Sequence, residues 1–431
     1  MPKRFSSHLY CLFLFFSSSL TLDDLFLNHT DLDKAARTGS VPKKHAFSVV
    51  WNMPTARCMK RYGVHLPLSQ YSIIHNRKQK FLGQNMSIFY QRRLGLYPYI
   101  TRDGASVNGG LPQLGDLKKH LQLAEKQIRT LLGGNFRGLA VVDWEAWRPI
   151  WGRNFGAKQV YQTLSEDLVW QNHPEWSLEK VKSVARAEFE QEARSFMSET
   201  LRLGVRLHPS GLWGYYGFPG CYNNNGQTKR TYTGQCHPGT EQRNDRLAWL
   251  WQQSTALFPS IYVHRRLAGH NNARLMVRHR VLEALRVASQ HALGSQALPV
   301  LPYTRLAFTH TLQFLNQTDL ENTLGECAAL GTQGVVFWGS LSFARSKHQC
   351  ILLREYITSV LGLYVDSLRR GVQRCSESVC HGNGRCARRD PLSDHMIPLV
   401  DPGSKPVHEL RSAFRCVCFK HWSGEWCDQT L

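Results

Sequence analysis

Two carboxylates separated by a single residue follow an apolar run in the first half of the chain. Asp143 and Glu145 come after Gly138–Val142, whose composition predicts a buried strand. Side chains at positions i and i+2 of a strand lie on one face, so both carboxyls should emerge together at the carboxyl end of this strand. We expect three tryptophans to surround the pair: Trp144, Trp147 and Trp151.

The spacing of these carboxyls suggests acid catalysis. Two carboxyls held close in an apolar setting cannot both ionise cheaply, because like-charge repulsion and desolvation raise the pKa of at least one. A carboxyl that keeps its proton can protonate a glycosidic oxygen. We assign Glu145 as the acid and Asp143 as the partner that holds and positions the shared proton. Activity at acid pH follows, because Glu145 must stay protonated.

The same pair supplies no ordinary nucleophile. Retaining glycosidases usually hold two carboxyls ~5 Å apart on opposite sides of the scissile bond, whereas neighbours on one strand face lie on the same side. The substrate's own N-acetyl carbonyl oxygen would then attack, which predicts a substrate containing N-acetylhexosamine. A structural alternative stays open, in which Asp143 caps a following helix and Glu145 pairs with Arg148.

Strands that alternate with helices are expected to position this pair. The strand candidates are Ala46–Met53, Met86–Tyr90, Tyr97–Thr101, Gly138–Trp144, Gly211–Phe218, Ser260–Val263, Pro299–Phe308 and Val335–Leu341. The helix candidates are Asp116–Leu132, Leu178–Leu203 ending at Gly204, Arg274–Ala292 and Asp319–Leu330. This alternation favours a closed parallel (β/α) barrel of the TIM type, with catalytic groups at the carboxyl ends of strands. A doubly wound open sheet is the alternative, but no glycine-rich phosphate fingerprint follows a strand.

The two ends of the chain differ from its middle. Lys3 and Arg4 precede the apolar run Leu9–Phe16, which predicts a secretory signal peptide over about residues 1–22; a buried N-terminal helix is the alternative. No apolar run is long enough to be a transmembrane segment. We therefore expect a secreted or lysosomal protein.

The C-terminal cysteines indicate a separate disulfide framework. Six of the twelve cysteines lie within residues 375–427. Their last part, Cys416-x-Cys418-x5-Gly424-x2-Cys427, resembles an EGF-like module, and spacing alone leaves fifteen pairings open. The EGF resemblance implies the pairs Cys375–Cys386, Cys380–Cys416 and Cys418–Cys427. A zinc site is the alternative for such close cysteines. We expect a catalytic barrel over 40–365 and an EGF-like module over 366–431.

Charge and glycosylation motifs fit an exported protein with an acidic partner. The net charge is +21 and the basic residues are dispersed, which favours an acidic polysaccharide over nucleic acid once export is expected. Three sequons permit glycosylation: Asn28, Asn85 and Asn316. Clustered His and Cys ligands are absent outside the cysteine module, so we expect no metal and no organic cofactor. A monomer is expected.

The segment Gly138–Pro149 closely resembles the catalytic segment of the animal hyaluronidases, glycoside hydrolase family 56. Further matches follow in order: Ile88–Tyr90, Leu96–Tyr99, Gly109–Pro112, Gly211–Pro219, Phe258–Tyr262, Arg278–Arg280 and Gly334–Ser340. The C-terminal half, with His381–Pro391, is most similar to the type 3 vertebrate branch. The resemblance implies a distorted (β/α) barrel and an enzyme that cleaves hyaluronan, with chondroitin as a second candidate substrate.

The resemblance also implies roles for single residues. Asp143 and Glu145 take the catalytic positions. The implied substrate-binding residues are Tyr216 and Tyr262 beside the N-acetyl group, Trp338 in the same pocket, and Tyr90, Arg148 and Arg280 in or near the groove. Tyrosine hydroxyls can orient an acetamido oxygen, and arginines can bind glucuronate carboxylates bidentately. The resemblance further implies the disulfides Cys58–Cys350 and Cys221–Cys236, which leaves Cys327 as a buried thiol.

Two other functions stay open at this point. One is a catalytically weak or inactive protein that binds hyaluronan or serves adhesion; it is motivated by the EGF-like module and by Gly220, where many vertebrate members carry Asp. The other is a related glycosidase for chitin-like chains, which the basic net charge argues against.

Overall fold

A computed structural model describes residues 46–292, 296–399 and 407–431, so the predicted signal peptide and Asn28 lie outside the described residues. The strands are β1 Ser48–Asn52, β2 Ile74–His75, β3 Met86–Tyr90, β4 Tyr99–Ile100, β5 Ser106–Val107, β6 Leu139–Asp143, β7 Leu212–Tyr215, β8 Tyr303–Thr304, β9 Gly334–Trp338, β10 Gly384–Arg388, β11 Phe414–Cys418, β12 Trp422–Ser423 and β13 Gln429–Thr430. The α-helices are α1 Ala56–Tyr62, α2 Leu117–Leu131, α3 Val160–Asn172, α4 Leu178–Leu207, α5 Thr240–Asp245, α6 Ala248–Trp251, α7 Asn271–Gln290, α8 Gln317–Leu320, α9 Glu326–Ala329, α10 Lys347–Tyr356, α11 Gly362–Cys380 and α12 Val407–Ala413.

Parallel strands form the two arcs of a distorted barrel. One arc has the order β2-β1-β9-β8 and the other β3-β6-β7. Isolated parallel bridges connect the arcs through the segment after α6, where Tyr216 pairs with Phe258 and Ser260 pairs with Tyr303. The Ser260–Val263 segment is therefore not the strand that the sequence predicts but a chain held by single bridges. The predicted (β/α) barrel is confirmed, and it is closed more loosely than a regular one.

An asparagine side chain replaces strand pairing at the other junction of the arcs. Asn76 Nδ2 donates to the Met86 carbonyl at 2.8 Å, and Asn76 Oδ1 accepts from the Met86 amide at 3.1 Å. The side chain thus makes the two hydrogen bonds that a neighbouring strand would make with the start of β3. It aligns β3 with β2, and so fixes the position along the barrel axis of the residues at the end of β3.

The apolar side chains form an inner and an outer layer. Alternate strand residues such as Ile88, Val141 and Val336 fill the barrel interior, while their neighbours pack outward against the helices. Helix α4 carries much of the outer layer and continues to Leu207, so the predicted end at Gly204 is wrong. A Cβ on Gly204 would lie 2.6 Å from the Trp213 ring. This glycine therefore provides close packing between helix and strand rather than a helix end.

Other helix predictions hold with small differences in length. Helices α2 and α7 lie within about three residues of their predicted bounds. The predicted helix Asp319–Leu330 is present as α8 and α9 joined by the π-helical turn Glu321–Gly325. A second π-helical turn, Ile357–Leu361, joins α10 to α11. No helix in the described part of the chain has the length and apolarity needed to cross a membrane.

The C-terminal cysteine-rich part is attached through a continuous helix. Helix α11 runs without interruption across the boundary predicted between residues 365 and 366, and it contains Cys375 and Cys380. The antiparallel pairs β10–β11 and β12–β13 follow it. The five disulfides are Cys58–Cys350, Cys221–Cys236, Cys375–Cys386, Cys380–Cys416 and Cys418–Cys427. These are the pairs that the two resemblances imply, and Cys327 is a buried thiol outside them.

Candidate active site

Side chains from separate strands meet at the carboxyl edge of the barrel. Tyr90 and Asp143 end β3 and β6 and lie side by side in register. Trp338 ends β9, and Tyr216 follows directly after β7. Because parallel strands present their carboxyl ends at one edge, residues far apart in sequence share one groove there.

Aromatic side chains line this groove and contact one another. Trp338 Nε1 donates to the Tyr90 hydroxyl at 2.9 Å, and the Tyr262 ring stacks on Trp338 at a centroid distance of 6.2 Å. Tyr216 lies 6.0 Å from Tyr262 and donates to Ser260 Oγ at 3.3 Å. Burial raises the pKa of both Tyr216 and Tyr262, so their hydroxyls stay protonated and remain donors. The result is an aromatic pocket with hydroxyl groups inside it.

The surroundings of Asp143 strongly perturb its carboxyl group. Burial, reinforced by the nearby charge of Glu145, raises the pKa of Asp143 to about 7, and Arg148 only partly opposes this. Its Oδ1 is buried and has no hydrogen-bond partner. A buried carboxyl that is neither paired nor hydrogen-bonded keeps its proton at acid pH and is free to bind a ligand.

Glu145 lies further out and is held through its backbone. Its side chain is 55% exposed, and its carboxylate lies 3.6 Å from the Arg148 guanidinium. Lys158 donates to the carbonyl oxygens of Glu145 and Ala146. The structural alternative for these residues was that Glu145 pairs with Arg148 and Asp143 caps a helix. The pair of Glu145 with Arg148 is present. The other half is absent, because residues 144–150 form no helix that Asp143 could cap.

The prediction that three tryptophans surround the two carboxylates is wrong. Trp144 and Trp147 are buried in the outer layer, where they pack on Tyr97, and Trp151 contacts Phe189 of α4. Successive strand residues alternate between faces, so the neighbour of Asp143 must point away from the groove. The aromatic surroundings of the acids come from other strands instead, a set that the family resemblance provides and the local sequence does not.

The two predicted substrate arginines use their guanidinium groups within the protein. Arg148 lies against the Phe218 ring at 5.3 Å and pairs with Glu145. Arg280 donates to Asn223, Asn224 and the Ser260 carbonyl, at 2.6 to 2.8 Å. Arg280 therefore fixes the segment that carries Ser260, while its role as a direct substrate ligand stays a prediction.

Arg305 lies in the groove and was not predicted. It follows β8, and its guanidinium carbon is 5.8 Å from the Tyr262 ring centroid and 5.3 Å from that of Trp338. The sequence signal for it was its position two residues after Tyr303, within the predicted strand Pro299–Phe308. Only Tyr303–Thr304 is extended in the barrel. The predicted strand was too long and therefore placed Arg305 inside a strand rather than at the carboxyl edge.

The two described sequons differ in accessibility. Asn85 Nδ2 donates to the His75 carbonyl at 2.8 Å, so a glycan on that nitrogen would break this contact. Asn316 is exposed and caps α8 through its Oδ1, which leaves its amide nitrogen on the outside. In the part of the chain that the structure describes, no group of three or more His, Cys, Asp or Glu side chains could hold a metal ion.

Comparison with known proteins matches this arrangement to one family. A family model described as Hyaluronidase matches residues 36–431. Hyaluronidase-3 of Mus musculus is 46% identical over 389 residues, covering 89% of this chain and 92% of its own length. Hyaluronidase-1 of Sus scrofa is 42% identical over 431 residues, covering 95% of this chain and 98% of its own. The predicted resemblance to the type 3 branch is confirmed.

Solved structures agree with the sequence relatives. A crystal structure of bee venom hyaluronidase has a TM-score of 0.68 and 36% identity, and it covers 74% of this chain and 99% of its own. A second structure of that enzyme, in complex with a hyaluronic acid tetramer, has the same TM-score and identity and 98% of its own chain covered. With this barrel, this groove and these relatives, the chain belongs to the hyaluronidase family, glycoside hydrolase family 56, and is a glycosidase.

Proposed function

We propose that this enzyme is an endo-β-N-acetylhexosaminidase that hydrolyses hyaluronan with retention of configuration. The observation that carries the proposal is the unpartnered, protonated Asp143 next to an exposed Glu145, inside a pocket of tyrosine hydroxyls. The names of the relatives and the hyaluronic acid tetramer bound to bee venom hyaluronidase support the choice of polymer.

The first step is attack by the substrate itself. The acetamido group fits between Tyr216, Tyr262 and Trp338, where the tyrosine hydroxyls orient its carbonyl oxygen toward the anomeric carbon. That oxygen forms a bond to the anomeric carbon as the glycosidic bond breaks. The proton that Asp143 holds in the free enzyme passes to Glu145, which gives it to the departing sugar oxygen. The leaving group thus departs as a neutral alcohol, and Asp143 is left ionised.

The second step restores the enzyme. The cyclic oxazolinium formed in the first step carries positive charge, which an ionised Asp143 stabilises through its free Oδ1 at the acetamido nitrogen. Glu145, now a carboxylate, takes a proton from water as the water oxygen bonds to the anomeric carbon, and this proton returns to Asp143. The acetamido group is released and the configuration is retained. The two carboxyls thus handle one proton between them throughout the reaction.

A variant at Glu145 tests this function. Glu145→Gln keeps the size of the side chain but carries no transferable proton, so we expect hyaluronan depolymerisation to fall about 10²- to 10⁴-fold. Product size after digestion of hyaluronan, and in parallel of chondroitin, measures the loss and the substrate preference. The matched control is Glu188→Gln, which neutralises an exposed carboxylate on α4 away from the groove.

The same digestion distinguishes the binding protein from the enzyme. Wild-type protein that binds hyaluronan without shortening it would support the alternative of an inactive hyaluronan-binding protein. A Glu145→Gln variant with wild-type turnover would show that another group is the acid. Rapid shortening of chitin-like chains in place of hyaluronan would contradict the proposed substrate.

We also propose that the chain is exported, to the lysosome or the extracellular space, and acts as a monomer. Five disulfides among the described residues support export, because such bonds persist in oxidising compartments. The proposed EGF-like module contributes three of them. Asn316 is the proposed glycosylation position that is open to modification in the folded chain.

A further inference from the structure

Arg305 places a positive charge on the aromatic wall of the groove. The guanidinium lies near the rings of Tyr262 and Trp338, at 5.8 and 5.3 Å. A cation at this distance from a ring face is attracted by the ring's electrons, which restricts the side chain to the groove. The arginine is therefore held in position before any ligand arrives.

This guanidinium has no anionic partner among the residues that the structure describes. No described carboxylate lies within 4.0 Å of it, and its Nε is buried without a hydrogen-bond acceptor. The other two arginines of the region differ, since Arg148 pairs with Glu145 and Arg280 binds loop and backbone oxygens. A partly desolvated cation with unused donors is unfavourable until an anion fills the place.

We propose that Arg305 binds the carboxylate of the uronic acid next to the hexosamine that is cleaved, an inference that rests on the proposed function. The rings that hold Arg305 are those that line the proposed acetamido pocket, so the guanidinium is close enough to the hexosamine to meet the sugar that adjoins it. A planar guanidinium matches a carboxylate with two parallel hydrogen bonds. Arg305 thus makes the enzyme specific for acidic polysaccharides, because a neutral chitin-like chain would leave the partly buried cation unpaired.

Binding measurements on a non-hydrolysing background test this role. In Glu145→Gln protein, calorimetric titration compares a hyaluronan oligosaccharide with the same oligosaccharide after its carboxyls are reduced to alcohols. We expect Arg305→Gln to weaken binding of the native sugar about 10- to 100-fold and to leave binding of the reduced sugar nearly unchanged. Arg305→Lys, which keeps the charge but not the planar fork, should recover part of the loss.

A control variant separates a local contact from the overall positive field. Arg206→Gln removes the same charge from an exposed position in the last turn of α4, at the opposite end of the barrel. We expect it to bind both sugars as the parent does. Melting temperatures of all variants show whether each remains folded, and the Lys variant keeps the test valid if the Gln variant does not.

The outcomes distinguish this inference from the proposed function. Equal weakening of native and reduced sugar by Arg305→Gln, or no weakening of either, would overturn the assignment while wild-type protein still cleaves hyaluronan. Wild-type protein that neither binds nor cleaves hyaluronan would instead overturn the proposed function, and this inference with it.

Discussion

A buried glutamate and a partly buried aspartate in this molecule have opposite surroundings. Glu326 in α9 is fully buried, and its carboxylate accepts hydrogen bonds from Arg278 at 2.6 Å and from Arg388 at 2.8 Å. Asp143 in the groove has a buried oxygen with no partner and a pKa raised to about 7. Both carboxylate oxygens of Glu326 accept hydrogen bonds from arginines, whereas the buried Oδ1 of Asp143 accepts none.

The comparison separates a structural charge from a functional one. Glu326, Arg278, Arg388 and Asp394 form an ion-pair cluster, the Glu326 cluster. It connects α7 and α9 to the C-terminal part, since Arg388 lies in β10 and Arg278 also donates to Asp394. Its satisfied geometry holds the cysteine-rich part on the barrel. Burial favours the neutral form of Asp143 up to about pH 7, and the unpartnered Oδ1 keeps its hydrogen-bonding capacity for the substrate.

Among changes to these two acids and their partners, the largest effect is expected from Asp143→Asn on activity. The amide cannot ionise to stabilise the oxazolinium charge, so hyaluronan turnover should fall about 10²- to 10³-fold. Initial rates of reducing-end release measure it. Wild-type turnover in this variant would show that Asp143 takes no part in the mechanism. The contrast between a structural Glu326 and a functional Asp143 would then fail.

The next largest effect is expected from Glu326→Gln on stability. This change leaves Arg278 and Arg388 buried with less compensating charge, which costs about 3–5 kcal/mol of the free energy of unfolding. Chemical denaturation with the disulfides intact measures it. Activity per folded molecule should stay at the wild-type level, and a selective loss of activity would show that the cluster serves the groove directly.

Asp143→Asn should also change stability, in the opposite direction. The folded pKa of Asp143 is raised to about 7, so the unfolded chain ionises first as pH rises from about 4 and wild-type stability falls until about pH 7. The amide has no such penalty. We expect the variant to be more stable than wild type by ~2–4 kcal/mol at pH 8 and by little at pH 4. Equal stabilities at both pH values would show that the burial of this carboxyl carries no penalty.

The pH dependence of wild-type activity gives a smaller effect. The pair loses its last proton above about pH 7, because burial holds the Asp143 pKa there, so activity should fall about tenfold for each further pH unit. A rate profile on hyaluronan from pH 3 to pH 9 tests this. An alkaline optimum would contradict a proton shared by the two acids.

The smallest effect is expected from Asp394→Asn. Asp394 pairs with Arg278 from the surface, where its side chain is 68% exposed. Solvent screens such a pair, so its loss should cost no more than about 1 kcal/mol. Comparison with Glu326→Gln then tests whether burial, rather than the number of ion pairs, determines what the cluster contributes. Similar losses from both changes would show that burial is not the deciding factor.

Much of the barrel and the position of the acids could be predicted from local sequence. The apolar run before Asp143 is a property of one strand, and β6 ends at Asp143 as expected, whereas Glu145 lies beyond the end of that strand. The wrong predictions involve distant contacts. Gly204 continues a helix because of Trp213, and the tryptophans beside Asp143 turn outward because Tyr97 and α4 receive them.

The sequence by itself determined the parallel barrel, the strand that ends at Asp143 and the family to which the chain belongs, because periodicity and motifs are written in neighbouring residues. Only the tertiary structure decided which carboxyl has the raised pKa, which arginine lacks a partner and which charges are neutralised in the interior. Those properties depend on burial and on partners from other strands. The neighbours of Arg305 and Glu326 come from elements dozens of residues away along the chain, whereas Asp143 owes its raised pKa to burial and to the absence of a hydrogen-bond partner for its Oδ1.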